Sequence, residues 1–158
     1  MPQPRPFLWF DNQAEEAANF YVSVFPNSRI TAVARYGPGS PGGAEGSVMT
    51  IAFELDGQPF NALNGGPIFQ FSEAVSFVID CETQAEVDHY WKALGEEGGQ
   101  PGQCGWLKDR FGVSWQVVPT VLPRLLSGDD REKAGRAMAA MLKMKKLDIA
   151  ALEAAREG

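Results

Sequence analysis

The sequence predicts an α+β fold made of two successive βαβββ halves followed by a C-terminal helical arm. Apolar residues switch between a period of two and a period of 3.6 in the same order twice. Asp-Gly, Pro and Gly signals separate the segments at matching places in both runs. After Val121 the pattern changes to helix alone. The 158 residues, 44% of them hydrophobic, suit one domain with a core of its own.

In the first half, Phe7 to Phe10 reads as a short strand. Asn12, with Glu15 three residues on, resembles a capping box opening a helix. Ala14, Ala17, Ala18, Tyr21, Val24 and Phe25 fall on one helical face, and Pro26 ends it. Arg29 to Tyr36 is expected as a second strand and Ser47 to Leu55 as a third, with Met49, Ile51, Phe53 and Leu55 on one side. Asp56-Gly57 turns tightly into a fourth strand, Gln58 to Leu63. The intervening Gly37–Gly46 loop is either a lid or a solvated insertion.

In the second half, Val75 to Asp80 is a strand, and Thr83 with Glu86 forms a capping box. Val87, Tyr90, Trp91 and Leu94 give that helix its apolar face. Glycines 95, 98 and 99 end it. Short strands at Gly105 to Lys108 and Val113 to Val118 flank a turn at Asp109-Arg110-Phe111-Gly112. An offset of about 70 residues superimposes strand and helix, bringing Phe7 onto Phe77, Ala17 onto Val87 and Val24 onto Leu94. Beyond the hairpins the offset is about 55, which sets Gly57 on Gly112 and Asn61 on Gln116.

The expected boundaries are a paired domain over 1–120, with halves at about 5–64 and 74–119, and an arm over 121–158. In the arm, Asp129 with Glu132 is read as one helix start and Asp148 as another. Met138, Met141, Leu142 and Leu152 form an apolar stripe, which predicts a homodimer.

Charge and composition exclude several classes. The formal charge of -6 disfavours nucleic acid and anionic membranes as partners. No stretch approaches the roughly 20 apolar residues of a membrane span, and the N-terminus lacks the pattern of a secretory signal, so a cytoplasmic protein is expected. Cys81 and Cys104 have no CxxC spacing and are read as reduced thiols. His89 is the only histidine and falls on the solvent side of its helix, so no Ser-His-Asp or Cys-His set can be assembled.

Three segments carry a family resemblance: FPNSRI, GGPIFQFSEAVSFVIDC and CGWLKDRFGVSWQVVP. From Arg5 to Pro119 the chain resembles the PhnB-like branch of the glyoxalase, bleomycin-resistance and dioxygenase (vicinal oxygen chelate) superfamily, often labelled demethylubiquinone 3-methyltransferase-like. The resemblance implies paired βαβββ modules around a common cavity, assembled as a dimer. In metal-using relatives, His and Glu ligands come from the first and last strands of each module. Here the first-strand positions hold Pro4 or Pro6 and Ala74, and the last-strand positions hold Asn61 and Gln116. Prolines, alanine and amides cannot neutralise a divalent cation, so no metal and no other cofactor is expected.

Strand alternation assigns Leu8, Phe10, Ser76 and Val78 to the cavity side, opposite Phe7, Trp9, Phe77 and Ile79. Asn61 and Gln116 each present a donor and an acceptor. Trp106 stands beside them as an aromatic candidate, and Trp9, Trp91 and Trp115 are read as core. Lys108 and Asp109 are either a charged rim or an Asp-stabilised hairpin.

The reading that follows is a metal-free protein binding a small apolar or aromatic molecule. The alternatives are a lyase, isomerase or dioxygenase with a relocated site, the methyltransferase of the family label, or a purely structural module. Methyl transfer of the common kind needs a glycine-rich strand-to-helix loop to cradle S-adenosylmethionine, whereas Gly37–Gly46 leads into another strand.

Overall fold

Two residues with positive φ, Asp56 (46°) and Gly57 (81°), close the tightest hairpin of the chain, a turn whose twist matches that of its strands. It joins β3 (Val48–Leu55) to β4 (Gln58–Asn64), with Leu55 opposite Gln58. The computed structural model describes residues 1–158, and the chain divides into two compact units, Met1–Phe71 and Ser72–Gly158.

In the first unit, β1 (Phe7–Phe10) leads into α1 (Ala14–Val24), then β2 (Arg29–Arg35) and the β3–β4 hairpin. The sheet order is β1-β4-β3-β2, with β1 parallel to β4 and the other pairs antiparallel. Helix α1 buries Ala14, Ala17, Ala18, Tyr21 and Val24. Tyr21 stacks on Phe53, and Phe53 on Phe60, at ring separations of 6.3 and 5.4 Å. Each such aromatic contributes about 1.5–3 kcal/mol by leaving water.

Two expectations are corrected here. The N-cap of α1 is Gln13, and its side chain makes no capping bond. Asn64, on β4, instead accepts from the Ala14 N–H at 2.8 Å, so the cap comes from the sheet rather than from Asn12. Met49 does not join the core row: a register shift between Ala34 and Arg35 brings Val48 inward and leaves Met49 exposed.

The second unit repeats the order. Strand β5 (Phe77–Cys81) leads into α2 (Gln84–Gly95), β6 (Gln100–Pro101), β7 (Trp106–Lys108) and β8 (Ser114–Pro119), in sheet order β5-β8-β7-β6. Thr83 caps α2 by accepting from the Glu86 N–H at 3.2 Å, as the capping box predicts. The Glu86 carboxylate reaches back to the Glu82 N–H. The core under α2 holds Val87, Leu94, Leu107, Trp115 and Val117.

The arm is continuous with this unit. It comprises α3 (Leu122–Leu125), α4 (Arg131–Met141) and α5 (Ile149–Glu157) around a small core of Leu122, Leu125, Ala137, Leu147 and Leu152. Its docking point is Gly105, which donates to the Lys145 carbonyl at 2.8 Å. At φ 85° and with the Val117 carbonyl 2.8 Å from where a Cβ would stand, only glycine fits there. Gln84 clamps the other side, donating to the Leu147 carbonyl and accepting from the Ile149 N–H. Asp148 caps α5 as expected, but the cap of α4 is Asp130 and not Asp129.

Candidate functional site

Each sheet has one face under its helix and one face turned away from it, and register decides which residue lies where. Phe7 pairs with Asn61 just as Val78 pairs with Gln116. The two helices, however, match through Gln13 and Thr83, their N-caps. The segment between strand and helix is therefore one residue longer in the first half (Asp11, Asn12) than in the second (Glu82). A strand offset taken from the helices is one residue out, and a slip of one residue turns every side chain to the other face.

That slip corrects Leu8 and Phe10. Both are buried, at 7% and 3% exposure, in the row with Ala62 that packs under α1. Phe7 and Trp9 lie on the open face instead. Phe7 is 54% exposed. Trp9, expected in the core, is half-buried beneath Gly65 to Phe69, with its indole N–H on the Gly66 carbonyl at 2.9 Å and its ring 4.9 Å from that of Phe69.

In the second half, Val78 is 53% exposed on the face turned away from α2. Trp106, Gln116 and Val78 form a row across β7, β8 and β5. Lys108 and Ser114 form the next row, and Ser76, just before β5, continues it by accepting from Gln116 Nε2 at 2.9 Å. At the β6 side this face opens into a hollow of about 270 Å³ lined by Glu73, Gln100, Gly102, Trp106, Lys108 and Ser114, among others.

Ser114 is a residue that sequence reasoning missed. It is 2% exposed, and its Oγ has no hydrogen-bond partner. Its only sequence signal is parity, since it stands two residues before Gln116 on the same strand. An unpartnered buried hydroxyl costs the fold about 1–3 kcal/mol, a cost that a bound acceptor or donor would remove.

The charged groups around the hollow divide into rim and scaffold. Lys108 pairs with Glu73, and that bond holds the Glu73 carboxyl below its ordinary value. Asp109, 3% exposed, resolves to the hairpin reading. Its Oδ1 accepts from the Phe111 and Val113 N–H groups at 2.9 and 3.1 Å, and its Oδ2 from the Trp115 indole at 2.8 Å. Cys81 is buried, and desolvation pushes its thiol up to about 11, which removes it as a nucleophile. Cys104 faces the arm, its N–H on the Met144 carbonyl. His89 is exposed beside Tyr90.

On the first sheet, the Asn61 side-chain Oδ1 accepts from Arg5 Nε. Arg5 thus stands to Asn61 as Ser76 stands to Gln116. These are the side chains that reach the last-strand amides, in place of Pro4, Pro6 or Ala74. A guanidinium, a hydroxyl and two amides do not fit a divalent cation, and no group of three or more His, Cys, Asp or Glu is placed to hold one.

The PhnB protein of Bacillus cereus is 36% identical, with a TM-score of 0.67 over 75% of this chain and 100% of that one. Protein PA1353 of Pseudomonas aeruginosa shares the fold at 23% identity and a TM-score of 0.62, over 75% and 98%. The fosfomycin resistance protein FosX of Mesorhizobium loti shares it at 15% identity and 0.56, over 80% and 98%. No curated protein matches the sequence. The family model of 3-demethylubiquinone-9 3-methyltransferase matches residues 3–118, leaving the whole arm beyond the match. The repeated βαβββ order and these matches lead to one conclusion: the chain belongs to the 3-demethylubiquinone-9 3-methyltransferase, or PhnB-like, family and has the glyoxalase/bleomycin-resistance fold.

Proposed function

We propose that this protein binds a small apolar or aromatic molecule carrying a hydrogen-bonding group, without a metal, on the open face of its second sheet. The observation that carries the reading is the Ser114 hydroxyl, buried without a partner in the wall of the hollow. Trp106 and the exposed Val78 offer apolar contact on the same face. Gln116 spends its amide N–H on Ser76 and keeps its Oε1 for a ligand donor.

Methyl transfer, named in the family's description, has no loop to support it in this chain. Gly37–Gly46 folds back onto Tyr36, whose ring lies against Gly43 and whose carbonyl accepts from the Gly46 N–H at 2.8 Å. It joins strand to strand and opens no helix whose N-terminus could hold a nucleotide.

A thermal-shift screen of small aromatic and apolar compounds, followed by titration of the hits, tests the proposal. Ser114→Ala should weaken a hit about 5- to 10-fold, since one neutral hydrogen bond is worth roughly 1 kcal/mol. The same change should leave the melting temperature unchanged or raised, because it removes an unsatisfied hydroxyl. Lower stability with unchanged affinity would mean that Ser114 serves the scaffold and that the proposed site is misplaced.

A further inference from the structure

The first sheet carries polar chemistry that the second does not. Where the second half has Ser76 beside Gln116, the first has Arg5 beside Asn61. Arg5 bonds through Nε alone, so both terminal nitrogens stay free, and the Asn61 amide nitrogen is free as well. No carboxylate neutralises the guanidinium: the acid on the neighbouring strand, Glu54, is paired with Arg29 at 3.3 Å. The result is a fan of hydrogen-bond donors with no acceptor, fixed in direction by the Nε bond.

The row in which Asn61 lies runs Phe7, Asn61, Ala52, Ala32 across β1, β4, β3 and β2. Two alanines leave that part of the face low, while the Phe7 ring is 54% exposed at its edge. A planar cation, an exposed ring and a shallow apolar floor suit one kind of molecule. We infer that Arg5 and Asn61 form an anion-binding site on the open face of the first sheet, whose ligand is an apolar or aromatic carboxylate. The two terminal guanidinium nitrogens take the carboxylate oxygens side by side, Asn61 Nδ2 donates to one of them, and the apolar body lies along Phe7 and the alanines. With a net charge of -6 the protein repels anions in general, so carboxylate binding would report this local pair rather than bulk attraction. The inference stands on the first unit alone and does not depend on the Ser114 hollow.

Benzoate is the probe, with benzamide as its neutral counterpart and inorganic phosphate as the anion lacking an apolar body. Titration is followed by the NMR signals of the Arg5 Nε–H and Asn61 Nδ2 groups and read against chain variants. Benzoate should bind more tightly than both controls and shift both signals. Arg5→Gln should weaken it about tenfold or more. Asn61→Asp, which keeps the cation but sets an anion beside it, should abolish binding. Affinity is taken from the Arg5 and Asn61 signals alone, and any occupation of the Ser114 hollow is read separately at the Trp106 indole. Equal binding of benzoate and benzamide, or unchanged affinity in Arg5→Gln, would overturn the site. Phosphate binding as tightly as benzoate would overturn the apolar carboxylate as its ligand.

Discussion

Asp109 shows how much one side chain can decide. Its carboxylate is buried in the β7–β8 turn and accepts three bonds, one of them from the Trp115 indole. Asp109→Asn keeps the volume but turns a donor toward one of those donors, so we expect a loss of about 1–3 kcal/mol. Urea denaturation read at the Trp signal would measure it, and an unchanged midpoint would refute the assignment. The sequence left this residue between rim and hairpin, because an Asp before a turn looks the same in either role. Gln116 was singled out through its resemblance to the ligand-strand position of relatives. Leu8 and Phe10 were not, since apolar residues stand on both faces of β1 and one extra residue before α1 reverses the parity. Arg5 was hidden by neighbouring prolines that drew attention as missing ligands. Ser114 was hidden by having no partner to announce it.

At the level of elements, order and type were readable almost throughout, because period and punctuation agree in both halves. The details lost were those set by distant residues. Nothing local to α1 indicates that Asn64 caps it from another strand. In the arm, two adjacent aspartates competed for one cap, and Asp130 takes the Glu132 and Lys133 N–H groups, both at 3.1 Å. Asp130→Ala should therefore lower the temperature at which α4 melts, while Asp129→Ala should leave it unchanged; helix content on heating distinguishes them. Bonds from the Lys133 N–H to Asp130, and from Lys146 to Asp88, hold both carboxyls below their ordinary value. Groups depressed in the folded state stabilise it above the usual carboxylate range and cease to do so as pH falls through their folded values. The melting temperature should thus decline as pH drops below about 4, and decline less in a chain carrying Asp88→Asn and Asp130→Asn. Equal acid sensitivity in both chains would contradict the assignment.

For the molecule as a whole, the arm gives up much of the apolar stripe on which a homodimer was expected. Leu152 is fully buried and Met141 packs on the arm's core, so Met138 (39% exposed) and Leu142 (59%) remain. We propose that these two residues form a self-association patch. Met138→Glu with Leu142→Glu should give a monomer by light scattering at micromolar concentration without lowering the melting temperature; a wild-type monomer would remove the proposal. Removing the whole arm is a poorer test, because Leu147 and Gln84 tie it to the second unit. No helix is long and apolar enough to cross a membrane. The open face of the second sheet is the surface proposed to bind a small molecule. NMR mapping of a screened ligand on isotope-labelled full-length protein tests this, reading the Trp106 indole, the Gln116 side-chain amide and the Val78 methyls against Trp115, Val117 and Leu94 in the core under α2. Saturable shifts are expected in the first three with the second three nearly still; shifts confined to the helix-covered face, or absent from Trp106 and Gln116 at saturation, would rule out binding there.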